Sequence, residues 1–163
     1  MTRQLVQAAA AIVVLALLWR AFRFAMGLRA ARIFREEARR AEESRGRRVV
    51  AEIPSVEGDL SLFLEAPDAF VWRDRSVRKR DIVGCRLLLN GAAIASAARV
   101  NTTLPEAALP EDYEGRERWD VRLYIGGDVW EVPCGTLREG VSRDTARAVF
   151  DAVSAAVRPG HDI

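Results

Sequence analysis

Between Arg3 and Arg20 the chain carries sixteen residues without a formal charge, most of them Ala, Leu, Val and Ile. As an α-helix, at about 1.5 Å per residue, such a run reaches about 24 Å, short of the roughly 30 Å hydrocarbon layer of a bilayer. Its basic flank closes the gap. Arg20 and Arg23 have stems long enough to snorkel, and Trp19, Phe22 and Phe24 suit the interfacial belt, so Leu5 to Leu28 spans. We therefore expect residues 1–28 to form a transmembrane anchor in contact with the lipid bilayer, with Trp19, Arg20, Phe22, Arg23 and Phe24 at the membrane interface.

Three other readings fit less well. A cleaved secretory signal needs a small-residue cut site after the apolar stretch, where this chain has Trp19-Arg20-Ala21-Phe22-Arg23-Phe24. A buried helix of a globular domain is disfavoured because Ile12 to Trp19 is apolar on every face. A transit peptide fits the absence of acidic residues before Glu36, but not the absence of Ser before Ser44. The run is thus read as an uncleaved signal anchor. Orientation follows from Arg20, Arg23, Arg29, Arg32 and Arg35, which crowd one side, because an excess of basic residues marks the cytoplasmic face. The expectation is a single-pass protein with a cytoplasmic body; the alternative is a bitopic component of an envelope assembly with its body outside the cytoplasm.

Residues 29–48, RAARIFREEARRAEESRGRR, form a basic neck of strongly helix-favouring composition, with no Pro and no Gly before Gly46. Glu36 and Glu37 precede Arg39 and Arg40 at helical spacing and support a solvated helix. Ala30, Ile33, Phe34, Ala38 and Ala41 offer only a thin stripe for a coiled coil. The arginines of the neck suit anionic headgroups. Helix and link meet after Ser44, near Gly46.

Charge divides at the same place. Residues 1–48 hold 11 Arg against 4 Glu, and residues 49–163 hold 14 Lys and Arg against 19 Asp and Glu. An acidic body is a poor wrapper of phosphate backbones, so no nucleic-acid partner is expected.

After Val49 the pattern becomes alternating, and residues 49–158 read as a small α+β domain with a disordered tail at 159–163. Leu60, Leu62 and Leu64 alternate with Ser61 and Phe63; Ala66-Pro67-Asp68-Ala69 supplies a turn, and Phe70-Val71-Trp72 resumes an extended run. A second hairpin is predicted around Asn90-Gly91, with Leu89 facing Ala92 and Leu87 facing Ile94; the alternative for Ala92 to Ala98 is a helix, which Ala favours. The third spans residues 119–134. A Gly127-Asp128 loop would set Ile125 against Trp130, a Gly126-Gly127 loop shifts the partners, and Pro133 marks an edge or an end. A C-terminal helix follows, with Ser142 as N-cap, Asp144 in the first turn and Val141 stapled onto Ala146. Its core stripe is Ala146, Val149, Phe150, Val153 and Val157, and Pro159-Gly160 ends it. Residues 100–119 are read as a long polar loop. This order of antiparallel hairpins capped by a helix, over residues 59–158, resembles the pleckstrin-homology-like roll. The resemblance implies a bent sheet plugged by the last helix and carries no function.

Catalytic signatures are sparse. His161 stands beyond the terminating Pro-Gly, so no His-assisted nucleophile is expected in the body. Cys85 and Cys134 lie too far apart in sequence for a CxxC motif and read as small buried hydrophobes, with a bridge between them possible only outside the cytoplasm. No metal or cofactor is expected. Asn101-Thr102-Thr103 has the form of a glycosylation sequon, relevant only to a secreted body. Glu111, Asp112, Glu114, Glu117 and Asp120 are read as a solvated acidic loop rather than an acid–base pair. The basic run Arg73, Arg75, Arg78, Lys79 and Arg80 is the candidate contact for headgroups or an acidic partner, carried on a connecting loop. The expected function is non-catalytic binding or scaffolding at a membrane, with a protein partner or self-association.

Overall fold

The structure, a computed structural model, describes residues 2–54, 60–105, 117–135 and 139–158; no side chain is described for residues 2–13, 28, 31, 54, 60, 139 and 140. The chain divides into two units, Met1–Ser44 and Arg45–Ile163.

The first unit is one uninterrupted helix, α1, Thr2–Ser44. It runs through the apolar stretch and most of the basic neck, as the absence of Pro and of any Gly but Gly27 allows. Ser44 closes it by donating its hydroxyl to the Ala41 carbonyl, 2.8 Å away, and Gly46 takes a φ of 73° just beyond. Weak pairs at i, i+4 spacing, Arg40 with Glu36 and Arg39 with Glu43, line its solvated face. Among the described residues, no helix is long and apolar enough to cross a membrane.

The second unit is α+β. Strands β1 (Arg48–Pro54), β2 (Leu60–Glu65), β3 (Ala69–Trp72) and β4 (Arg75–Arg78) form one four-stranded antiparallel sheet in chain order. After a 3-10 turn at Lys79–Asp81, strands β5 (Ile82–Leu89), β6 (Ala92–Ala98), β7 (Trp119–Ile125) and β8 (Asp128–Gly135) form a second, in the order β6-β5-β7-β8, also antiparallel. Helix α2, Glu139–Val157, packs on the second sheet and on β1.

A single core joins these layers. Trp130 on β8 lies 6.1 Å from the Phe63 ring on β2 and 6.3 Å from the Trp72 ring on β3, so an aromatic cluster ties sheet to sheet. From α2 come Ala146, Val149, Val153 and Val157, all fully buried. Their spacing of three or four residues is the period of one helix face.

Several expectations are corrected in detail. In β2, where the alternation left the core face open, Phe63 enters the main core with Ser61 on the same face, where Ser61 accepts a 3.0 Å hydrogen bond from the Trp72 indole; Leu64, on the other face, is buried as well. Asn90-Gly91 does turn the second hairpin with positive φ at both residues, and Leu89 does oppose Ala92. Leu87, however, faces Ala95, because a bulge in β6 adds Ile94 to the count. The third hairpin turns at Gly126-Gly127, with Ile125 opposite Asp128 and Leu123 opposite Trp130. Helix α2 includes Glu139, so Ser142 lies within its first turn, buried, rather than capping it. Val141 is exposed, contrary to the staple expected of it. Strands β1 and β4 were not anticipated; β1 begins at Arg48, inside the stretch assigned to the neck.

Candidate functional site

The basic run from Arg73 to Arg80 is divided among a turn, a strand and a 3-10 turn. It is not one loop. Arg73 and Asp74 form the two-residue turn between β3 and β4, where Trp72 opposes Arg75; Arg75 to Arg78 is strand, and Lys79 and Arg80 enter the 3-10 turn. The five cations therefore point to different neighbours. Arg73 lies over the Trp72 ring, 4.6 Å from its centroid. Arg75 donates to Asp128 on the β8 hairpin at 2.8 Å. Only Arg78, Lys79 and Arg80 come together, with Asp68, around an open cavity of about 310 Å³.

Within that cavity the charges are partly spent. Lys79 donates to Glu65 at 2.8 Å, and Arg48 donates to the same carboxylate from Nε at 2.9 Å. Burial alone would raise the Glu65 carboxyl, but the Lys79 and Arg48 hydrogen bonds and charges outweigh it and hold the group below its ordinary value of 4.5. Arg78 and Arg80 share a single exposed carboxylate, Asp81, at 3.3 and 3.7 Å. Around the cavity Arg78, Lys79, Arg80 and Arg48 stand against Glu65, Asp81 and Asp68, four cations to three carboxylates, which leaves a small excess of positive charge that an incoming anion can meet.

Backbone positions in the turn are fixed from outside it by Arg99. Its guanidinium donates to the Ile82 carbonyl at 2.8 Å and to the Lys79 carbonyl at 3.0 Å, while the Lys79 N–H is bound by the Asp68 carbonyl at 2.7 Å. Sequence reasoning missed Arg99 and Asp68, since neither lies in the basic run and only the tertiary fold brings them there.

The acidic loop divides in the same way. Glu111, Asp112 and Glu114 lie outside the described residues, and Glu117 is half-buried. Asp120 is not a loop residue: it is buried in β7, 3% exposed. Arg118 donates to it at 2.8 Å and also reaches Glu131, which in turn accepts from Arg122 at 2.8 Å. Burial raises the Asp120 carboxyl above its usual range, with the Arg118 charge opposing, and Oδ1 has no hydrogen-bond partner. The Glu131 hydrogen bond holds the Arg122 guanidinium more firmly protonated. This is a charge ladder on the outer face of the second sheet. Among the described residues no group of three or more His, Cys, Asp or Glu side chains converges as a metal site. His161 lies outside the described residues.

Both cysteines are free and buried, and burial pushes both thiols up to about 12. Cys85 opposes Leu123, whereas Cys134 is the bulge residue beside Trp119 and Asp120 on the far side of β7. That offset is about 10–13 Å along the strand, beyond the roughly 7 Å a disulfide tolerates between Cα atoms. A bridge in the folded body is thus ruled out in any compartment, which corrects the expectation above.

The membrane-interface residues all lie on α1. Trp19, Phe22 and Phe24 are 65%, 57% and 70% exposed, and the rings of Trp19 and Phe22 stack at 6.1 Å. Arg20 and Arg23 are exposed between them. No family model, curated protein or solved structure matches the chain.

Proposed function

We propose that the chain is a single-pass, membrane-tethered binding module, without catalytic activity, whose α+β body stands on the cytoplasmic side. One observation carries the proposal. From Val14 to Met26, eight large apolar side chains on α1 are each more than half exposed, and the sequence from Leu5 to Val13, which lies outside the residues whose side chains are described, carries no formal charge. An apolar helix surface on that scale calls for a lipid or protein cover. Lipid explains the order of residues as well: apolar first, then Trp19, Phe22 and Phe24 with Arg20 and Arg23 among them, then a basic neck.

Tethering confers function without chemistry, because it confines the body to a thin layer and raises its effective concentration toward other membrane-bound molecules. The Arg78–Arg80 cavity is the proposed contact for anionic headgroups. Element order alone supports a pleckstrin-homology-like reading of the body, and it lends no ligand to the proposal. Fusion of reporters after Ile163 tests the orientation: a fluorescent protein that matures only in the cytoplasm should be active, and a phosphatase active only outside it should be silent. The opposite pattern transfers the body to the envelope and overturns the proposal.

A further inference from the structure

The least guarded sheet edge of the body is β6. Among the described strands, the other edges carry evident protection: β8 has Pro133 and a bulge at Cys134, β1 ends in Pro54 and bulges at Val50, and β4 is four residues long with arginine at both ends. Strand β6, AAIASAA, holds no proline and no charge. Its small side chains leave the backbone open to approach. Ile94, the bulge residue, is 52% exposed.

The outward-facing backbone groups of β6 can be located. Arg158, just past α2, donates to the Ser96 carbonyl at 3.2 Å from outside the sheet. The N–H and C=O of one strand residue point to the same side, so both backbone groups of Ser96 face away from β5. Beside this edge runs a groove of about 320 Å³ between β6 and one flank of α2. Leu87, Ile94, Ala95 and Trp119 line its sheet side, and Phe150 lines the helix side. Arg143, Arg147 and Asp151 complete the helix wall. With Arg158 seven residues beyond Asp151, these positions set three arginines against Asp151 and against Asp144, which lies 3.7 Å from Arg143, and leave the flank with an excess of positive charge.

We infer that β6 and the α2 flank are a docking site for an extended, acidic segment of a protein partner, which adds a strand to the edge. The partner's backbone pairs with Ser96 and displaces Arg158 from the carbonyl. Its alternate apolar side chains enter the groove over Ala95 and Phe150, and its carboxylates meet Arg143, Arg147 and the released Arg158. The cationic wall selects the charge of the occupant, and the open edge selects its conformation. This identifies the partner of the binding module proposed above. It does not depend on where the anchor sits, so either can fail alone.

The test uses the full chain in detergent micelles and a fluorescent nonapeptide of alternating Glu and Val, with a Lys-and-Val peptide as control. Fluorescence polarisation should show saturable binding of the acidic peptide and none of the basic one. Arg143→Glu with Arg147→Glu should weaken it at least about tenfold. Ser96→Pro, which removes an outward N–H and no bond to β5, should abolish it while circular dichroism and thermal unfolding stay unchanged. Should that variant unfold, Ile94→Asp, on an exposed side chain, provides the same reading through groove repulsion. Equal binding of both peptides overturns the inference. So does a complete absence of binding, or an edge occupied by a second copy, seen as concentration-dependent dimerisation that Ser96→Pro removes.

Discussion

Lys79, the only lysine of the chain, donates to the Glu65 carboxylate at 2.8 Å while its ammonium sits 5.3 Å from the centroid of the Phe70 ring. The contact ties the 3-10 turn to β2. Because the Glu65 carboxyl is held below 4.5, its stabilisation is present above that value and is lost as pH falls through the lowered one. Glu65→Gln should cost about 1 kcal/mol at neutral pH. In urea unfolding, the gap between the two proteins should narrow in acid below pH 4.5. A gap independent of pH contradicts the assignment.

Asp120 should show the opposite slope. Its folded carboxyl binds a proton more readily than in the unfolded chain, because burial outweighs Arg118. The contribution of this group is therefore greatest below 3.8 and is lost as pH rises through the raised value. Relative to Asp120→Asn, the native protein should lose stability across that window. Unfolding curves that stay parallel across the window would count against a desolvated carboxylate.

Gly84 is needed for space rather than for a positive φ. A Cβ there would stand 2.6 Å from a Leu104 methyl and 2.9 Å from the Ala97 carbonyl oxygen. Gly84→Ala should destabilise by about 1–3 kcal/mol. Adding Leu104→Ala should recover part of that and not all, since the carbonyl contact is backbone. Full recovery would mean that β5 and β6 are free to separate there.

These cases show which parts of the molecule were legible in the sequence. Local signals held where one residue type has one strong preference: Asn90-Gly91 in its turn, Pro133 on an edge strand, and the stripe from Ala146 to Val157. What failed depended on partners distant in sequence. Nothing near Leu60 says that Phe63 faces the core, because Trp130 decides it from 67 positions away. A bulge at Ile94 cannot be read from alanines that pair equally well in either register. Asp120 looked like part of a solvated loop because Glu131, which shares Arg118 with it, is brought alongside only by β7–β8 pairing. The site divided for the same reason: a basic run in sequence became a turn, an edge strand and a 3-10 turn, each aiming its cations elsewhere.

Cys85 and Cys134 should be inert in the folded body. Thiols raised to about 12 are protonated at neutral pH, and both are inaccessible. Maleimide should modify neither until denaturant is added, then both together, with no bridge found before reduction. Rapid labelling of one thiol in the native protein would contradict its burial.

The exposed apolar surface of α1 remains the feature on which membrane tethering depends, and alkaline carbonate extraction of native membranes measures it most directly. The full chain should stay in the membrane pellet, and the double substitution Leu15→Arg with Leu18→Arg should release it. A native chain washed into the supernatant, or a doubly substituted one that stays embedded, would contradict an anchor formed by this helix.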